Sequence, residues 1–361
     1  MKAERVYLDW NATAPLRREA RDAMLKAMDV VGNPSSVHGE GRAAKAIVET
    51  ARGQIAAFCG CKPGEVVFTS GATEAAGVLA RRPAGSDVFV EETAHDAVWA
   101  HHAGDVRQDG TPATAHILAM GLANSETGVI TEPPHKIDGQ YSFGDGLADR
   151  LFLDVTQAVG RIAWSFHWSE ADFACLSAHK LGGPKGVGAL LVREGVDLHP
   201  LQAGGGQELG RRSGTENIVG ISGFGAACAA AVRDQDAGVW DGVEKLRNIL
   251  DQALVGEAKE TILIGNGLPR LPNTSCFVTP GWKGETQVMQ MDLAGFAVSS
   301  GSACSSGKVK VPRVLKAMGL DERAAEGALR VSLGPTTTED EVLRFAEAWL
   351  RHEKRFRQRA A

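Results

Sequence analysis

The sequence predicts an α/β fold, with a large domain built on a mostly parallel sheet flanked by helices and a smaller α+β domain beside it. Three observations carry that prediction. Between residues 66 and 194 short apolar runs recur (VVFT, DVFVEE, HILAMGLA, LFLDV, FACLSA, GALLVRE), the pattern of strands covered on both faces. Helical stretches fall between them, as the crossovers of a parallel sheet require. After about residue 236 the pattern changes to an amphipathic helix followed by short strands. The expected division is 14–236 for the large domain, with 1–13 and 237–361 forming the small one.

Taken in order, AAKAIVETARGQIAAF (Ala43 to Phe58) has apolar residues at helical spacing. Cys59 to Gly64 turns, and EVVFTSGATEAAGVLA reads as strand, glycine turn and helix. The remaining apolar runs supply the sheet, whose ligands are expected beyond the carboxyl ends of its strands. Asn217 to Val232 lacks charged side chains and is rich in Gly and Ala, which predicts a helix packed closely in a core. It is too short and too weakly apolar to span a bilayer, which takes about 20 residues. VWDGVEKLRNILDQALV opens the second part as a strongly amphipathic helix, and TILIG, TSCFVTP and AVSSGSAC follow. TTTEDEVLRFAEAWLRHEKRFRQRA is expected to be a helix with a Thr cap, acidic at its start and basic at its end.

Composition narrows the function. Against 44 acidic residues stand 39 basic ones, a formal charge of −5 that gives nucleic acid no dominant basic face. The 43 glycines in 361 residues exceed the usual share of about 7% and point to tight turns and close backbone approaches to a ligand. Six scattered cysteines do not make a disulfide scaffold, and Cys59-Gly60-Cys61 lacks the second ligand pair of a zinc site, so no metal is expected. The first residues lack a signal-peptide apolar stretch, and a cytoplasmic protein is expected.

Four stretches hold candidate chemistry. In LSAHKLGGPKGVGALLV, Lys180 follows a short strand and precedes a Gly-Gly-Pro turn, where a desolvated amine can form a Schiff base; SAHK alone better describes a surface loop lysine. In LFLDVTQAVG, Asp154 ends an apolar strand, where a carboxylate calls for a cationic partner such as a pyridinium or serves as a helix cap. TSGATE runs a strand through glycine into a helix start, with the Thr73 hydroxyl alongside; this makes an anion site or a simple cap. In VSSGSACSSGKVKVP, Cys304 lies among Gly and Ser with Lys308 and Lys310 nearby, which favours an exposed, mobile thiol in its thiolate form or an incidental loop cysteine. A phosphate site, a carboxylate, a Schiff-base lysine and a mobile cysteine together match one cofactor chemistry.

The chain resembles the cysteine desulfurases of the NifS/IscS type, pyridoxal 5'-phosphate (PLP) enzymes of fold type I in the aminotransferase class V group. The resemblance runs nearly end to end, through LDWNATAP, NPSSVHGEGRAAK, FTSGATEA, the His95 segment, NSETGVI, LDVTQAVG, LSAHKLGGPKGVGAL, GGGQELGRRSGTEN, SGSACSSGKV and ALRVSLGPTTTEDEV. It implies that Lys180 binds PLP covalently, that His95 stacks on the cofactor and assists proton transfers, and that Asp154 and Gln157 meet the pyridine nitrogen and the ring hydroxyl. Ala72, Thr73, Ser177 and His179 would hold the phosphate, joined by Thr215 from the second subunit of a homodimer. Arg330 would take the substrate carboxylate, with Asn11 and Ser125 near the same pocket, and Cys304 would collect sulfur from L-cysteine as a persulfide, leaving L-alanine. A sulfur-acceptor protein such as an iron–sulfur scaffold is the implied partner.

Two departures stand out. Where the family has Asn-Asn-Glu-x-Gly, this chain has Asn124-Ser125-Glu126-Thr127-Gly128, and the segment from His95 to Asn124 is shorter than usual. The sequence also leaves open a selenocysteine lyase or another PLP enzyme of the same fold, and a non-catalytic scaffold of that fold that binds a sulfur-transfer partner.

Overall fold

The architecture follows from where the apolar runs pair. A computed structural model describes residues 5–83, 86–103, 114–144, 146–301 and 313–360. They divide into two compact units: 14–122 with 132–236, and 1–13 with Ala123–Thr131 and Ala237–Ala361.

In the unit of 14–122 and 132–236, the sheet runs Val66–Thr69, Gly188–Val192, Phe173–Ser177, Gly146–Asp154, Thr114–Gly121, Val88–Val90, with the hairpin strands Lys136–Ile137 and Gln140–Phe143 off this path against Gly146–Asp154. The four strands from Phe173–Ser177 to Val88–Val90 are parallel. Gly188–Val192 instead runs antiparallel to both neighbours. The ten residues after Ser177 hold no more than a single 3₁₀ turn, and a parallel return needs a crossover of a dozen residues or more. Val67, Val90, Ala119, Phe152, Phe173 and Leu190 are buried together as its core. Each fully buried large apolar side chain contributes roughly 1.5–3 kcal/mol.

Helices Arg18–Met28 and Gly39–Cys59 pack on Ile218–Asp236, the helix predicted from the charge-free Gly/Ala stretch. Its small residues are what allow that approach. A Cβ at Gly225 would lie 2.6 Å from the Ala51 Cα, and one at Gly223 would lie 2.7 Å from the Met24 Cγ.

In the other unit, a four-stranded antiparallel sheet runs Ile262–Leu263, Thr274–Val278, Ala328–Ser332, Ser299–Ser300. Val6–Tyr7 pairs in parallel with Phe296–Ala297. Trp349 is wholly buried and meets Phe277 edge-on at 5.1 Å, within a core that also takes Trp282, Phe296 and Phe345. The last helix, Glu339–Ala360, starts as the sequence predicts: Glu341 N donates to Thr338 Oγ1, and Thr338 N donates to Glu341 Oε2 at 2.8 Å.

The segment Ala123–Thr131 belongs to this unit although it interrupts the other one in sequence. Ile130 N donates to the Pro269 carbonyl and Leu271 N to that of Gly128, both at 2.8–2.9 Å. The Asn124 side chain folds the segment by accepting from Glu126 N and Thr127 N. Among the described residues no helix is long and apolar enough to cross a membrane.

Candidate active site

Several candidate residues gather where strands of the large sheet end. Thr69 and Ser177 both stand in register with Gly188, one on each side, so Val66–Thr69 and Phe173–Ser177 point the same way. Asp154 ends the parallel strand next to Phe173–Ser177 and is paired with Cys175. The turns after Thr69 and Ser177, and the one after Asp154, therefore leave the same edge of the sheet. Gly188 lets the first two meet, since a Cβ there would lie 2.6 Å from the Leu176 carbonyl oxygen and 2.7 Å from the Gly71 Cα.

Lys180 is half-buried and closes a single 3₁₀ turn, Ala178–Lys180, directly after the strand. Its surroundings explain the two glycines that follow. Gly182 has φ +87°, and a Cβ there would sit 2.6 Å from the Arg17 Cγ; a Cβ on Gly183 would meet the Ala178 Cβ at 2.8 Å. The turn is tied from several sides. Ala14 N donates to the His179 carbonyl at 2.9 Å, Arg17 Nε to that of Leu181 at 2.8 Å, and Arg161 Nη2 to that of Lys180 at 3.1 Å.

Asp154 is half-buried, and its Oδ1 accepts from Thr156 N at 3.0 Å. Gln157, one turn on, is buried, and its side-chain oxygen accepts from Arg161 Nη1. Arg161 thus links the loop after Asp154 to the loop of Lys180. The sequence held a signal for it, the i, i+4 spacing from Gln157, but nothing to show that the guanidinium is buried. Ser177 is also buried, and a Cβ at Gly71 would lie 3.8 Å from its Oγ, which places the TSGATE turn beside that hydroxyl. The pKa of His179 is lowered to about 4, first by burial and then by the charges of Lys180 and Lys185. The imidazole is neutral near pH 7, in surroundings of positive potential.

Ala72 and Thr73 open the short helix Ala72–Ala76. Glu74 bonds back to Ser70 N at 2.6 Å and accepts from Arg212 Nε at 2.9 Å, which fastens this turn to the GGGQELGRRSGTEN loop. Within that loop Thr215 is exposed. Glu208 is buried in a two-pronged pair with Arg52, at 2.8 and 2.9 Å, and also accepts from Phe68 N. His95 caps the helix Asp96–Trp99, which packs beside Ala72–Ala76. Its Nδ1 accepts from Ala97 N at 3.1 Å, so in the neutral ring the proton is on Nε2.

Arg330, Asn11 and Ser125 lie together in the other unit. Arg330 is buried in the strand Ala328–Ser332; its Nη1 donates to the Ser125 carbonyl at 2.9 Å and its Nη2 to Asp9 Oδ1 at 2.7 Å. Asn11 Nδ2 donates to Thr274 Oγ1 and to the same Ser125 carbonyl, while its oxygen accepts from Asn273. Ser125 takes part through its main chain, a contact that Asn at this position would supply equally. Cys304, with Lys308 and Lys310, lies outside the described residues.

The other five cysteines are poor nucleophiles. Cys59, Cys175, Cys228 and Cys276 are buried, and burial pushes all four thiols up, Cys276 to about 12. Cys61, partly covered, is pushed up to about 12 by burial and by Glu65. Among the described residues no group of three or more His, Cys, Asp or Glu side chains is placed to hold a metal ion.

Comparison with known proteins identifies the family and the fold. The family model for aminotransferase class-V matches residues 6–103 and 112–345. A cysteine desulfurase of Cereibacter sphaeroides is 37% identical, over 95% of this chain and 94% of its own length. Cysteine desulfurase IscS of Dictyoglomus turgidum is 34% identical, over 95% and 92%. Among solved structures, a NifS-like protein from Rickettsia africae superimposes with a TM-score of 0.81 at 28% identity, covering 96% of this chain and 98% of that one.

Proposed function

The chain belongs to the aminotransferase class-V family and, within it, to the cysteine desulfurases, and from that premise we propose that it moves the sulfur of L-cysteine onto Cys304 and releases L-alanine. The step balances: the substrate C–S bond breaks, an S–S bond forms at Cys304, and the proton of the Cys304 thiol ends on the alanine. The carrying observation is the shared strand edge that holds Asp154, Ser177 and Lys180, with the Gly71 turn beside Ser177. The choice of Cys304 as nucleophile is supported by the raised thiol pKa values of the other five cysteines, since the thiolate is the reactive form.

The residues at the strand edge fit PLP. A buried hydroxyl at Ser177, a neutral His179 in positive surroundings and the Thr73 turn suit a phosphate, and the half-buried Asp154 suits a pyridinium nitrogen. Lys180 would hold the group covalently, with Gln157 at its ring hydroxyl. When bound, it serves as an electron sink for the substrate α-carbon. Lys180 Nζ then acts as the base for the α-proton, its loop fixed by Arg161 and Arg17. His95 offers a proton from Nε2, because Nδ1 is committed to Ala97 N. Arg330 binds the substrate carboxylate, and Thr215 serves the site of a second subunit in a homodimer, a role its exposure permits. The reading includes a cytoplasmic enzyme that hands sulfur to an acceptor protein such as an iron–sulfur scaffold.

The test is purified protein with PLP, L-cysteine and a reductant, following sulfide, alanine and the visible spectrum. Equal sulfide and alanine are expected, with Cys304→Ala keeping the cofactor band and losing sulfide, and Lys180→Ala losing the covalent cofactor signal. No cofactor band, or a band with neither product from cysteine, overturns the reading. Release of selenide from selenocysteine without sulfide from cysteine would replace it with the lyase.

A further inference from the structure

Arg330 is 3% exposed, and its guanidinium is divided among distinct neighbours. Nη1 goes to the Ser125 carbonyl and Nη2 to Asp9 Oδ1, while Nε is buried with no hydrogen-bond partner among the described residues. Asp9 is anchored through its other oxygen, which accepts from Ser299 Oγ at 2.7 Å, and Ser299 stands opposite Arg330 in strand register. The Ser125 carbonyl is itself braced by Asn11. The Asp9–Arg330 pair is poorly solvated, with side-chain exposures of 16% and 4%. A buried donor without an acceptor is costly and points to a ligand group that supplies one.

Resting on the desulfurase reading, we propose that Asp9 is a positioning and affinity-setting residue for Arg330. It fixes the guanidinium through Nη2, so that Nε, the guanidinium nitrogen with no partner among the described residues, is available to an incoming carboxylate. Its charge offsets that of Arg330, so that the carboxylate shared by substrate and product is held firmly enough to align and weakly enough to leave. A buried, uncompensated arginine would grip cysteine and alanine equally, and uniform tight binding does not speed turnover.

The two roles separate because Asn has the shape of Asp without its charge. In the PLP-loaded enzyme, Asp9→Asn keeps an acceptor for Nη2, and its amide can donate to Ser299 Oγ. It should lower both the KM for L-cysteine and the inhibition constant of L-alanine about tenfold, the scale of one charge-assisted hydrogen bond. Asp9→Ala loses position as well as charge and should raise both about tenfold, with kcat changing less than KM. An Asn variant that leaves both constants within about twofold of wild type, or raises them as Ala does, overturns the proposal.

Losing one partner of a buried pair can prevent folding, so Ser299→Ala is measured in parallel. It keeps the charge and loosens Asp9, and a rise of about threefold in both constants is expected; unchanged constants there overturn the positioning role. Carboxylate affinity is also read as the shift in melting temperature caused by L-alanine, which needs no turnover. Wild-type enzyme that shifts with alanine but makes no sulfide fails the desulfurase reading, and the Asp9 proposal is then judged on the alanine shifts of the variants alone.

Discussion

Arg161 donates from Nη2 to the main-chain carbonyl of Lys180 at 3.1 Å while its Nη1 holds both oxygens of Gln157. One buried cation therefore sets the spacing between two strand-end loops. Arg161→Met keeps the bulk and removes those bonds. Misplacement of about 1 Å can cost about 100-fold, so kcat for sulfide release should fall by about 10- to 100-fold while the cofactor band remains. Steady-state rates with the visible spectrum check this, and an unchanged kcat would show that the loop of Lys180 is held by its other ties.

Thiol labelling offers a direct reading of the cysteines. With burial raising the thiol pKa of Cys59, Cys61, Cys175, Cys228 and Cys276, brief alkylation of the native enzyme at pH 7 should modify Cys304 alone. Intact-mass analysis should show one adduct, and none in Cys304→Ala. Rapid labelling of a second cysteine would contradict the packing described for it.

Gly188→Ala tests the approach of two turns. The atoms nearest the added methyl would be main-chain, the Leu176 carbonyl oxygen and the Gly71 Cα and carbonyl carbon, so the strand or the turn must move. PLP affinity, titrated by absorbance into the apoenzyme, should drop by about tenfold or more, the effect of losing one charge-assisted bond to an anion. Gly53→Ala, on a helix with nothing within 4 Å of the new methyl, is the control and should be neutral or stabilising by up to about 1 kcal/mol.

Glu208→Gln breaks the buried pair with Arg52 and should destabilise by up to about 3 kcal/mol, because the guanidinium then keeps the exposed Glu49 in place of a buried counter-charge. Removing both charges with Arg52→Met and Glu208→Leu should recover part of the loss. The recovery is incomplete, since Arg52 also donates to the Val66 carbonyl and Glu208 accepts from Phe68 N. Thermal unfolding of the wild type and the two variants measures the order.

His179 predicts an acid sensitivity. Its folded pKa of about 4 lies below the value of 6.5 for a free side chain, so between the two the unfolded chain takes a proton that the folded chain refuses. Stability is then full above about pH 6.5 and declines as pH falls toward about 4. His179→Gln should flatten this part of the profile of melting temperature against pH. A bound phosphate ester would draw the pKa back up, so the loaded enzyme should show a shallower decline than the apoenzyme; equal slopes would place the phosphate elsewhere.

The order along the chain of six of the large sheet's strands was legible in the sequence because each is a short apolar run, as were the helix that opens at Ile218 and the Thr338 cap; the hairpin strands Lys136–Ile137 and Gln140–Phe143, short and more polar, were not. The direction of Gly188–Val192 was not, since an apolar run carries no sign of direction; the shortness of the preceding loop decides it. Lys180, Asp154 and Thr73 were legible as chemistry at strand ends. Asn11, Arg330 and His95 entered only through the family resemblance, because an arginine in ALRVS reads as an ordinary strand residue until burial and Asp9 are known. The burial of Arg161 and Glu208 was not legible for the same reason: sequence shows a charge but not the absence of water around it.

The pairing of Val6 with Phe296 also has a consequence in time. During synthesis the first strand leaves the ribosome long before its partner exists, and at about 5–20 residues per second the wait is roughly 15–60 s. The intervening residues 14–122 and 132–236 can complete their own sheet in that interval, but the opening strand remains an unpaired edge available to chaperones or to a neighbouring nascent chain. Slower translation would lengthen this exposure, so the yield of native protein should depend on elongation rate even for an unchanged amino-acid sequence.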